Sequence, residues 1–148
     1  MSQATNYVED RVLNAITSNG TINFATGGVT LGSGTYIGLF TGAPSDSGSG
    51  TEVSNSGTGY SRIQTGSAIS SGGVQGKFGN VSGGSITNDA EIIWDISTAD
   101  WGNISAVGLF DSATGGNLLV YGNLSSVVEM LNGDTFKIPL GGFTVSMD

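Results

Sequence analysis

Residues Val107 to Gly122 read VGLFDSATGGNLLVYG. Two apolar runs flank DSATGG, a cluster of turn-forming residues. A chain written this way predicts a β-hairpin with a loop of about four to six residues. Part of the pattern occurs earlier, in YIGLFTGAPS from Tyr36 to Ser45, where Gly-Leu-Phe again precedes a polar loop. The residues around the two copies do not align, so they read as two similar core strands and not as a repeat unit. The glycine near each aromatic residue predicts close approach of a facing strand.

The same grammar governs most of the chain. GTYIGLFT, residues 34–41, has apolar residues on both faces, as a central strand requires. The following GAPSDSGSGTEVSNSGTG reads as a long polar loop, with Pro44 pre-setting a turn, and YSRIQ resumes as a strand near 60–64. Residues 66–84 predict one short strand around 74–78 between loops. AEIIWDI alternates, with Ala90, Ile92, Trp94 and Ile96 inward. SSVVEMLNGD reads as a connection. DTFKIPL places Phe136, Ile138 and Leu140 on one face, and GFTVSMD does so for Phe143, Val145 and Met147. Pro139 marks a strand end or an edge. Ile92, Trp94, Leu109, Phe110, Val120, Phe136, Ile138, Phe143 and Val145 form the expected core. Gly accounts for 26 of 148 residues, against a usual share of about 7%, which suits short strands joined by tight turns.

The first element differs. In NYVEDRVLNAITSNG, Val8, Val12, Ala15 and Ile16 recur at helical spacing. Asn6 can cap this helix, with Glu9 in capping-box position, and Asn19-Gly20 is a natural stop. At about three turns it needs a docking partner to be stable, either its own sheet or a neighbouring subunit. The expected architecture is therefore all-β. It is a β-sandwich or jelly-roll-like pair of antiparallel sheets over residues 21–148, with one short N-terminal helix within 1–20. Partner contacts are expected at Tyr7, Val8, Arg11 and Val12 on the helix, and at Trp101.

Composition narrows the chemistry. The chain has no His and no Cys, so Ser-His-Asp and Cys-His catalysis and the commonest transition-metal ligands are excluded. Asp95 and Asp100, beside Trp94 and Trp101, are the nearest approach to a carboxylate pair, but nothing fixes them at a working separation. They read as turn formers beside core or interface rings. DSATGGN and NDAE offer oxygen ligands without the calcium-loop spacing, and GGVTLGSGTYIG runs into a strand where a phosphate cradle needs a helix. No catalytic residue, cofactor or metal is expected. Charged residues are 11% of the chain and the net charge is −8. Arg11, Arg62, Lys77 and Lys137 are too few and scattered to bind nucleic acid or an anionic membrane. The polar start MSQATNYVEDRV is unlike a secretion signal, so synthesis in a host cytoplasm is expected.

From end to end the chain resembles small virion structural proteins of tailed bacteriophages, known as tail fibre proteins and as capsid decoration (cement) proteins. The resemblance rests on NYVEDRVLNAI, TYIGLFTGAPSDSGSGTEVS, GYSRIQ, TNDAEIIWDISTADWGNISAVGLFDSATGGNLLVYGNL and NGDTFKIPLGGFTVSMD. ADWGNISAVGLFDSATGGNLLVYG is its most specific part. The family's Tyr-Ala-Arg is Tyr60-Ser61-Arg62 here. The resemblance implies a virion structural protein that is not an enzyme. A decoration protein stabilising the outer shell is expected first, and a tail or tail-fibre component is the alternative. The implied partners are the major capsid protein or other virion proteins, and copies of the chain itself, with a trimer ahead of a dimer. The acidic charge would be repelled by packaged DNA, so the outer face of a shell suits the chain better than the lumen, and the capsid exterior is expected ahead of the tail. A carbohydrate-binding adhesin is a further alternative, with Tyr60, Trp94 and Trp101 as the aromatic platforms it would need.

Overall fold

The structure is a computed structural model and describes residues 3–5, 35–68, 74–79, 82 and 85–146. Its strands are β1 (Gln3–Ala4), β2 (Tyr36–Gly42), β3 (Thr51–Glu52), β4 (Ile63–Gln64), β5 (Ser67–Ala68), β6 (Val74–Gln75), β7 (Ser85–Thr87), β8 (Ile92–Ile93), β9 (Gly102–Phe110), β10 (Leu118–Met130), β11 (Lys137–Ile138) and β12 (Thr144–Ser146). Every pairing between them is antiparallel. The main sheet runs β1-β10-β9-β2-β3, with β4 also pairing with β2. Three two-stranded ladders, β11-β8, β12-β7 and β5-β6, accompany it. The fold is all-β, and the described residues contain no helix. The helix expected after Asn6 lies outside the described residues, and the strand Gln3–Ala4 precedes it in the chain.

The two Gly-Leu-Phe segments are neighbours. Gly38 sits opposite Gly108 in the β2-β9 ladder, and Leu39 sits opposite Val107. A Cβ on Gly38 would lie 2.8 Å from the Phe110 ring, and one on Gly108 would lie 2.9 Å from the Phe40 ring. Each phenylalanine therefore covers the other strand's glycine, and the two rings stack 5.7 Å apart. The expected close approach of a facing strand is in fact the approach of an aromatic ring.

This explains the two-sided apolarity of β2. Ile37 and Leu39 point into the larger core, where they join Ile92, Trp94, Ile104, Val107, Phe136, Ile138 and Phe143. That cluster ties one face of the main sheet to β8, β11 and the start of β12, in a sandwich-like arrangement. Tyr36, Phe40 and Phe110 lie on the opposite face with Ala106, Leu118 and Tyr121.

The expected core is largely met. Ile92, Trp94, Phe110, Val120, Phe136, Ile138 and Phe143 are buried, and Leu109 and Val145 are partly buried against them. Two residues depart. Ile96 is 62% exposed and Leu140 is 70% exposed. After Trp94 the inward place goes to Ser97, whose hydroxyl donates to Leu131 O and accepts the Asp134 N–H. Leu140 sits in a turn closed by the Gly142 N–H to Pro139 O. Met147, expected to share a face with Phe143 and Val145, lies outside the described residues. Two segments expected to be irregular are strand: Thr51–Glu52 pairs with β2, and SSVVEM continues β10 to Met130.

Candidate assembly surface

The predicted hairpin closes at Asp111 and Asn117, and its loop is held from both sides. Asp111 accepts the Asn117 backbone N–H and side-chain amide, each at 2.7 Å. These two bonds, the side-chain one first, hold the Asp111 carboxyl below its ordinary range. Underneath lies Arg62. Its Nε and one Nη donate to the two oxygens of Glu52, both at 2.8 Å. The other Nη donates to the carbonyl oxygens of Ser112 and Gly115, both at 2.7 Å. The guanidinium carbon stands 3.3 Å from the centroid of the Phe110 ring. Arg62 thus uses its planar fork for a bidentate carboxylate, two loop carbonyls and a ring face at once, which Lys could not do.

Tyr60 extends the network to the sheet edge. Its hydroxyl accepts the Leu39 N–H at 2.8 Å and donates to Glu52 Oε1 at 2.9 Å. It thereby occupies the gap that β3 and β4 leave along β2. Burial first, and then the Glu52 charge, push this phenol far above its ordinary value, so it stays a proton donor at any physiological pH.

A cleft of about 600 Å³ opens at the other end of the molecule, between the far half of β10 and the β11–β12 segment. Val107, Met130, Phe136, Ile138 and Phe143 form part of its lining, and among the described residues Lys137 is its one charged residue and no carboxylate lines it. Beside it, Val127 is 59% and Val128 38% exposed. Apolar surface with a nearly neutral rim suits packing against protein better than holding an ionic ligand.

Over residues 3–146 the chain matches the family described as Podophage GP4 fiber I protein gp80. The chain belongs to this family. Membership assigns it a structural role in a phage virion. No curated protein matches the chain.

Within this gp80 family member, the residues singled out from sequence fall as follows. Tyr7, Val8, Arg11 and Val12 lie outside the described residues. Trp101 is a core residue, 5% exposed, with its ring edge-on to Tyr60 and its Nε1–H donating to Thr58 O at 2.8 Å. Its ring is therefore packed inside the subunit. Tyr60 and Trp94 are buried as well, so none of the three rings offers a sugar platform. Asp100 accepts the Asn132 N–H and fastens a turn, and Asp95 is exposed. Lys137 lies 3.4 Å from Glu91. Sequence reasoning missed the Arg62 network, because its partners lie 10, 50 and 53 positions away. The family's Tyr-x-Arg spacing was the available signal. Tyr60 and Arg62 make the contacts, while Ser61 between them is exposed, which fits Ser and Ala exchanging there.

Proposed function

We propose that this chain is a non-catalytic building block of a phage surface fibre, assembling with copies of itself and with other virion proteins. The observation that carries the reading is a family match over nearly the whole chain, 3–146 of 148 residues. That family is one of fibre proteins, which favours a fibre over a capsid decoration protein. The side chains support a structural role. Arg62 is held by Glu52, Lys77 lies 3.2 Å from Asp89 and Lys137 lies near Glu91. The described cations are thus engaged within the subunit and form no patch for nucleic acid. The exposed valines of β10 and the neighbouring cleft provide the surface for self-association, with a trimer favoured over a dimer. The net charge of −8 favours a site outside the packaged genome. That is also the observation behind the second reading, decoration of the capsid exterior.

Counting copies in purified particles tests this. Quantitative mass spectrometry is expected to find a few to tens of copies per particle, released with detached tails or fibres. A copy number comparable to that of the major shell protein would replace the fibre reading with decoration. Absence from purified particles would overturn both.

A further inference from the structure

The main sheet is completed on one side by a short strand. Among the described residues β1 pairs only with β10, Gln3 opposite Tyr121 and Ala4 opposite Val120. Yet its anchor is good. Thr5 is fully buried, its N–H donates to Leu119 O at 3.0 Å, and its hydroxyl reaches Leu118 O at 2.7 Å and Leu119 O at 3.2 Å. β2 begins only at Tyr36, so residues 6–35 join the two strands. A connection of that length reaches about 100 Å when extended, at about 3.3–3.6 Å per residue. The radius of gyration of a domain this size is about 15 Å. Covalent connection therefore does not restrict β1 to the β10 of its own chain.

We infer that β1 is exchanged between copies: the segment Gln3–Thr5 of one subunit seats on β10 of the next, beside Leu118 to Tyr121. The occupant of this edge is thus a second copy of the chain, and the inference rests on the self-assembly proposed above. Exchange of an identical element creates an interface from contacts the monomer already makes, so no new complementary surface has to exist. The strand supplies main-chain hydrogen bonds to an otherwise open edge, and the buried Thr5 sets its register. A head-to-tail exchange of this kind closes into a ring or continues as a filament, according to the rotation between copies.

The absence of cysteine from the chain gives a clean test. The Thr5 N–H to Leu119 O bond makes those two residues a hydrogen-bonded pair. Ala4 and Val120 are then a non-hydrogen-bonded pair, with Cα atoms about 4.5 Å apart, within disulfide reach. The full chain carrying Ala4→Cys and Val120→Cys is oxidised at assembly concentration and run on a non-reducing denaturing gel. Multiples of the chain mass that collapse on reduction are expected. A single-chain band, with an internal disulfide or with free thiols, overturns the exchange. In case those substitutions disturb folding, isotope-labelled and unlabelled wild-type chains are refolded together. Methyl contacts between Thr5 and Leu119 are expected to cross between chains, and contacts confined to one chain overturn the inference. Light scattering of the wild-type protein separates the two layers. An oligomer whose Thr5–Leu119 contacts stay within one chain loses the exchange and keeps self-assembly, whereas a monomer loses both.

Discussion

The two halves of β10 behave as different strands. Leu118 to Tyr121 are all buried, with β9 along one edge and β1 along the other. From Gly122 onward the strand is mostly exposed, and between Asn123 and Val128 it leaves its ladder: Leu124 to Val127 stand where β9 has only Ser105. The contrast follows from solvent access. A strand covered on both edges must pair every backbone group, since an unpaired buried amide costs about 1–3 kcal/mol. The closed half has a single extra residue, Leu119, whose carbonyl is taken by Thr5. A strand with a wet edge can instead leave the ladder over several residues and hydrogen-bond to water, so the longer bulge persists there. The closed half fixes the subunit's shape, and the open half carries the surface that shape presents.

This contrast can be broken most severely at the closed end. Phe110→Ala removes a buried ring that stacks on Phe40, fills the space over Gly38 and carries Arg62. A loss of about 3–5 kcal/mol is expected in urea unfolding. Glu52→Gln comes next. It leaves the buried Arg62 fork without its charged acceptor while keeping the side chain's shape, and a loss of about 1.5–3 kcal/mol is expected. The Ser112–Gly115 loop amides should also exchange hydrogen faster in that variant. Acid acts more weakly and more locally. Because the Asp111 carboxyl is held below its ordinary range in the fold, its contribution is complete above that range. It is lost as pH falls through the folded value. Amide exchange at Asn117 should therefore rise selectively on acidification, and Asp111→Asn should abolish that pH dependence. The smallest effect belongs to the open half. Val127→Ser is expected to change stability by less than about 0.5 kcal/mol and to shift the self-association equilibrium, as read by sedimentation. A large loss of stability there would mean that the two halves are not distinct.

The sequence was legible where neighbours in the chain decide the outcome. The Asp111–Asn117 hairpin, the two-sided strand from Tyr36 and the strand end at Pro139 all rest on local turn chemistry and period-two patterning. It was illegible where distant groups decide. Ile96 continues a good alternation, but Leu131 and Asp134 draw Ser97 inward and turn the isoleucine out. Nothing near Arg62 announces Glu52, Ser112 and Gly115 as its partners. The extension of β10 through SSVVEM was hidden because bulged residues carry no alternation to read. The aromatic rings that an adhesin would need as exposed platforms are buried. Their partners lie across the sheet, and those partners take them into the interior.

The reciprocal glycine–phenylalanine pair acts as a key for alignment during folding. β2 and β9 bury apolar residues on both faces, so burial alone separates registers two residues apart only weakly. A slip of one residue turns every side chain to the wrong face. A slip of two keeps the faces but moves Gly38 away from Gly108, so that each ring meets a Cβ where the native register leaves none. Only one alignment gives both rings their space. Errors in alignment are therefore penalised at two points together, which gives the chain a built-in safeguard against misregistered sheets.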